Sequence, residues 1–250
     1  MLIPILIGAV SALAILAHVA PFRFALDLAH RDMSVWRMPV AGSAKPIYLT
    51  FDDGPNPTAT PDLLTLLQQK DVKATFFLID DYVTADTAPI VRRMFDEGHC
   101  VAQHTGRRWL LARSPAHVES MLEAGASKIE QLAGHRPARL FRPHAGWRSE
   151  ALYRGAARAN YTIVGWSWMS WDWVGLRQRT GPRVAQQVLA HAGPGKIVVI
   201  HDGHHRNPRA DRAYAIDAAA RLADGLRAQG YRFRTLCEDL PPGSSASPAK

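Results

Sequence analysis

The stretch Tyr48-Leu49-Thr50-Phe51-Asp52-Asp53-Gly54-Pro55 carries an apolar run into two adjacent carboxylates and then a Gly-Pro pair. Asp-Gly is a common turn signal, and Asp often ends a strand by capping local backbone. A single Asp-Gly needs no further reading. Two neighbouring carboxylates are different, because like charges repel unless a cation or a proton separates them. A divalent ion meets that need: one Asp ligates it while its neighbour acts as base on a water. Adjacent side chains on an extended strand point to opposite sides, so the Asp-Gly-Pro turn must swing both carboxylates towards one cavity.

Other residues supply complementary chemistry. Asp53 and His104 are an oxygen and a nitrogen donor, suited to zinc or a similar divalent ion. His201 is a candidate acid for a leaving group. Arg142 can hold the base ionised through a bidentate contact. Asp172 can orient or tune His201. Together these residues describe metal-assisted hydrolysis of an amide or ester. A lone His near a strand is more often a loop residue than a ligand, and His99, His117 and His191 are read that way. His205 is expected to face solvent, and His204 stays open between ligand and loop. Trp166, Trp168, Trp171 and Trp173 are expected in core and rim packing, while Trp109 and Trp147 can serve a glycan or simply pack.

The elements that must position these residues alternate along the chain. Strands are expected at Pro46–Phe51, Lys73–Ile79, Cys100–Gln103, Ala138–Phe141, Thr162–Trp166, Lys196–Ile200 and Tyr231–Leu236. Between them, Thr60-Pro61 opens a helix with Pro at its first position, and Leu63, Leu64, Leu66 and Leu67 give it an apolar face. Further helices run from about Thr87 to Gly98, Ser114 to Gly134, Ser149 to Ala159, Pro182 to Ala192 and Ala210 to Gln229. Regular alternation implies βα units and a mainly parallel sheet, open or closed. Asp52 and Asp53, His104 and Thr105, Arg142, Ser170 and Asp172, and His201 and Asp202 each follow a predicted strand. That is the face on which (β/α) barrels assemble their sites.

Composition sets outer bounds. The chain has 250 residues, 47% of them hydrophobic, with net charge +8, which suits one domain with a sizeable core. Its basic character fits nucleic acid, an anionic membrane surface or an acidic glycan. Without a nucleic-acid motif, and with Arg residues scattered, the nucleic-acid reading is weak and no such partner is expected. Cys100 and Cys237 form no CxxC, and Cys100 lies in an apolar context that reads as a buried free thiol. Met1 to Val19 carries no charged side chain, a length that just spans a bilayer. No basic segment precedes it, and the best cleavage site, after Ala20, has Pro21 beyond it and His18 at −3. Residues 1–20 are therefore expected to be a membrane anchor or a signal segment, the uncleaved anchor being favoured, 21–44 a connector, 45–240 the barrel and 241–250 a disordered tail. Arg23, Arg31 and Arg37 follow the anchor, and by charge bias place the barrel in the cytoplasm.

TFDDGP, followed in order by GHCVAQHT, FRPHAGWRS, WSWMSWDW and IVVIHDG over about residues 46 to 237, resembles the polysaccharide deacetylase (NodB-homology) family. The resemblance implies a distorted (β/α) barrel of about seven parallel strands, and removal of N-acetyl, sometimes O-acetyl, groups from a glycan; a lipid-linked sugar is the runner-up substrate. By that similarity Asp52 is the base, Asp53 and His104 are metal ligands, Arg142 braces the base, Asp172 supports the acid and His201 is the acid. The Ala145 N–H falls where the family has an oxyanion donor, and Trp173 falls at the acetyl pocket. The family usually works on exported cell-wall glycans, which opposes the topology implied by the arginines.

Two departures bear on the site. Arg108 stands where the family has its third ligand, and a guanidinium cannot bind a cation. It can replace the metal's charge, or recognise a substrate phosphate or carboxylate. His144 stands where Pro is usual, and Ala145 where an aromatic is usual. His144 or His204 is therefore expected to complete the coordination. A non-catalytic glycan-binding relative is the competing class. Asp52, Arg142, Asp172 and His201 argue against it, since a binder needs none of those roles together.

Overall fold

The computed structural model describes residues 33–106, 112–169 and 180–240. The expected anchor and tail lie outside the described residues, as do Arg108, Asp172 and Trp173. Among the described residues no helix is long and apolar enough to cross a membrane.

Nine strands among the described residues form one sheet: β1 (Ser34–Val35), β2 (Pro46–Gly54), β3 (Thr75–Ile79), β4 (Cys100–His104), β5 (Leu140–Arg142), β6 (Thr162–Val164), β7 (Trp168–Met169), β8 (Ile197–His201) and β9 (Arg232–Phe233). Every pairing between them is parallel. Seven strands, β2 to β8, follow one another in chain order around a distorted barrel, with β2 beside β8 and the opening between β6 and β7. Residues 34–38 line that opening. Val35 O accepts from Gly165 N at 2.8 Å on one side, and Met38 N donates to Gly195 O at 2.8 Å on the other. The segment expected as connector thus contributes a strand, and Val35, Trp36 and Met38 are buried.

Helices α1 (Thr60–Gln69), α2 (Ala88–Asp96), α3 (Pro115–Ala133), α4 (Glu150–Arg158), α5 (Gly181–Ala190) and α6 (Ala213–Ala228) alternate with the strands. Their starts were written locally. Four carry Pro in the first turn, where its missing N–H costs nothing. Ser114 and Ser149 cap α3 and α4 by accepting from the N–H of His117 and Leu152.

Alternation along the strands creates two apolar layers. Ile47, Leu49 and Phe51 of β2, Phe76 and Leu78 of β3, and Val198 and Ile200 of β8 face the helices. Tyr48, Phe77, Ala102, Leu140, Val164 and Ile197 fill the interior. The same parity puts Thr50, Asp52, His104 and Arg142 on the interior face, at the strands' C-terminal ends.

The opposite end is closed by residues 232–240, and here two expectations fail. The strand predicted over Tyr231–Leu236 stops at Phe233, and a short helix α7 (Leu236–Asp239) follows. Thr235 and Glu238 form a reciprocal capping box that starts a helix there instead of extending the strand. Leu236 N donates to Thr75 Oγ1 at 3.0 Å, and Tyr48 Oη donates to Asp239 Oδ2 at 2.6 Å. This docking brings Cys237 onto Cys100, and the two form a disulfide with Cα atoms 5.6 Å apart. Cys100 is therefore not a free thiol. A bridge across 137 residues of sequence belongs to the class that typically stabilises by about 2–4 kcal/mol.

Candidate active site

The two carboxylates reach one cavity through a bulge. Asp52 pairs with Phe77 and Gly54 with Leu78, so Asp53 is an extra residue in β2. Its φ of 68° is left-handed, a conformation that Asp tolerates better than most side chains. Strict alternation would send Asp53 towards the helices, and the bulge returns it to the interior. The bulge needs room beside it. A Cβ on Gly203 would lie 1.8 Å from Asp53 O, so position 203 has space for no side chain.

Asp52, 3% exposed, meets the fully buried Arg142. Arg142 Nη1 donates to Asp52 Oδ1 at 2.5 Å and to Thr50 Oγ1 at 2.8 Å. The contact with Asp52 is single and not the bidentate one expected. Nη2 instead donates to Gly165 O at 2.9 Å, and Phe77 lies under the guanidinium at 3.9 Å. Burial lowers the Arg142 pKa, and the Asp52 charge opposes that shift. His201 is Asp52's neighbour in register across β2 and β8, and is half-buried at the strand end.

Asp53, His104 and His144 are buried and offer one ligand atom each, all within 4.8 Å of one another. His104 Nδ1 lies 2.7 Å from Arg142 O. A carbonyl only accepts, so Nδ1 carries the proton. The neutral ring then turns the Nε2 lone pair towards Asp53 Oδ1 at 3.2 Å, an oxygen with no hydrogen-bond partner among the described residues. Two acceptors facing each other need a cation or a proton between them. Ligands about 2.0 Å from a tetrahedral zinc ion stand roughly 3.3 Å apart, so the spacing fits a metal. With a proton instead of a metal between the two groups, burial still resists ionisation of Asp53, while the hydrogen bond and charge of a protonated His104, with the charges of His201 and His144, hold its carboxyl below the usual range.

His144 opens a one-turn 3-10 helix, His144–Gly146, whose middle residue Ala145 is left-handed at φ 53°. His205, expected in solvent, is half-buried, with its ring centroid 4.7 Å from that of His144. His204 stacks on His205 at 4.7 Å but is not within the three-residue cluster. His99 is a buried structural group: its Nδ1 accepts from Ala74 N at 3.1 Å, and burial pushes it down to about 4. Trp166 is core, edge-on to Trp36 at 5.8 Å.

Sequence reasoning assigned no role to Asp202, which is 1% exposed. Thr60 Oγ1 donates to its Oδ2 at 2.5 Å, and its backbone O accepts from Asn56 Nδ2 at 3.0 Å. Burial pushes its carboxyl up to about 7; the Thr60 hydrogen bond opposes this, while the Asp53 and Asp52 charges add to it. Its adjacency to His201 was the available signal.

Residues 40–164 match the polysaccharide deacetylase family. A peptidoglycan-N-acetylglucosamine deacetylase of Bacillus cereus is 34% identical over 208 residues, 82% of this chain and 92% of the relative. A chitooligosaccharide deacetylase of a Bradyrhizobium species is 38% identical over 202 residues, 76% of this chain and 88% of the relative. The crystal structure of a peptidoglycan N-acetylglucosamine deacetylase superposes with a TM-score of 0.74 at 26% identity, covering 90% of this chain and all of that one. With the barrel, the paired carboxylates and the Asp-His cluster already in place, these similarities show that the chain belongs to the polysaccharide deacetylase (NodB-homology) family.

Proposed function

We propose that this chain is a zinc-dependent deacetylase of N-acetylglucosamine units in a glycan, with Asp53, His104 and His144 as the ligands, Asp52 as base and His201 as acid. Family membership makes it a hydrolase that removes acetyl groups from carbohydrate, with a metal requirement. The observation that carries the metal assignment is the buried Asp53 oxygen facing the His104 lone pair at 3.2 Å. The choice of sugar follows the two relatives, whose names specify peptidoglycan N-acetylglucosamine and chitooligosaccharide.

When bound, the cation supplies Lewis-acid polarisation of the acetyl carbonyl and acidifies water in its field. Asp52 takes the proton from the attacking water, and Arg142 balances its charge in the buried wall. The Ala145 N–H, presented by the left-handed turn beside His144, donates to the carbonyl oxygen as charge develops on it. His201 protonates the departing amine, so water and amide become acetate and amine. By the family resemblance, Asp172 steadies His201 and Trp173 lines the acetyl pocket. Arg108, no longer a ligand in this scheme, is available to an anionic substituent of the glycan.

His144→Ala tests the ligand set. Zinc affinity, read by competition with a chromogenic chelator, is expected to fall by more than the ~10–100-fold typical of changes behind a ligand. Unchanged affinity would remove His144 from the site.

We also propose that the catalytic domain works outside the cytoplasm, tethered by residues 1–20. The Cys100–Cys237 disulfide supports this, because such bonds persist in oxidising compartments. A C-terminal fusion to an export-dependent reporter is expected to be active; activity only with a cytoplasmic reporter would reverse the topology.

A further inference from the structure

The three ligands are not equally held. Asp53 is fixed by the β2 bulge. His104 ends β4 in register with Arg142, and its Nδ1–H is tied to Arg142 O. His144 has no strand beneath its Cα: it begins a single turn whose next residue is left-handed. A ligand on such a turn needs its ring direction fixed from elsewhere, since metal affinity depends on ligand orientation.

The geometry points to His205 as the positioning residue for His144, acting through ring packing. This rests on His144 being a ligand. The rings of His144 and His205 lie 4.7 Å apart at 60°, and His205 stacks on His204 at 4.7 Å and 23°. The far end of the stack is anchored. His204 O accepts from Tyr82 Oη at 3.1 Å, and His204 Nδ1 accepts from Arg206 N at 3.2 Å. The root of the loop is anchored too. Gly203 N donates to Asp52 O at 3.2 Å, and the buried Arg212 donates from Nε to Gly203 O at 2.6 Å. The stack therefore transfers the rigidity of β2 and β8 to a ligand carried by the loop after β5. In this scheme the two histidines after Gly203 support a ligand that stands at position 144.

The test uses the full-length protein and four forms: unaltered, His144→Ala, His205→Ala and His205→Phe. Zinc affinity is measured by chelator competition, and the cobalt-substituted proteins are compared by visible absorption. Melting curves confirm that each variant folds. His205→Ala is expected to bind zinc about 10–100-fold more weakly and to alter the cobalt spectrum. His205→Phe, which keeps a ring but has no nitrogen, is expected to restore both to near the unaltered values. Wild-type affinity and spectrum in His205→Ala, with His144→Ala defective, would overturn the positioning role and leave the ligand set standing. A Phe variant as weak as the Ala variant would make His205 a ligand instead of a brace. Full affinity in His144→Ala would overturn the ligand assignment, and the positioning role with it.

Discussion

Replacing Asp52 by Asn is expected to lower kcat by about 10²–10⁴-fold, the range in which a positioned base contributes. The substitution is nearly isosteric, and the amide oxygen can still accept from Arg142 where Asp52 Oδ1 now does at 2.5 Å. Zinc affinity is expected to hold, because Asp53 and not Asp52 belongs to the buried ligand cluster. Binding of an N-acetylated oligosaccharide is also expected to hold, so the loss falls on turnover. Steady-state kinetics beside chelator competition separate the two effects. A variant that keeps more than a tenth of its turnover would assign the base elsewhere. An unaltered protein that binds glycan and metal without turnover would restore the glycan-binding alternative.

Arg142→Met is expected to have the largest effect on stability, about 3–5 kcal/mol, because it leaves the Asp52 carboxylate buried and unpaired. For a chain of this size that corresponds to a melting temperature lower by roughly 6–20 °C. The Arg142 side chain is 0% exposed and that of Asp52 4%, so the lost contact lies in the barrel wall, on the side of Asp52 away from solvent. Adding Asp52→Asn to the Arg142→Met protein removes the orphaned charge. The double variant is therefore expected to be more stable than Arg142→Met alone, with a coupling of about 0.5–3 kcal/mol in urea unfolding. A double variant no more stable than the single one would mean that the guanidinium acts mainly through Thr50, Gly165 and Phe77.

The barrel was legible because its strands are short apolar runs and its helices announce themselves with Pro and Ser at their starts. Asp52, His104, Arg142 and His201 were legible because they follow those runs, and parity puts them inside. What escaped was set by contacts distant in sequence. Ser34–Val35 is too short to show periodicity and is a strand only because β6 offers it an edge. The disulfide depends on a C-terminal turn folding back under β3 and β4, which no spacing of two cysteines encodes. The Thr235–Glu238 capping box was a local signal for that turn and was outweighed by the apolar run before it. Between His144 and His204, sequence could not choose. The answer depends on the left-handed Ala145 and on how far the loop after β8 reaches.

The bulge at Asp53 imposes two separate filters on one position. The backbone filter, a φ of 68°, admits Gly, Asn and Asp most readily and rejects branched side chains. The chemical filter asks for a short anionic oxygen donor. Glu satisfies the second filter but is poorly suited to the first, and Asn satisfies the first without the charge. Asp alone passes both, so any other residue at position 53 fails either the backbone fit or the charge that the proposed ligand role needs.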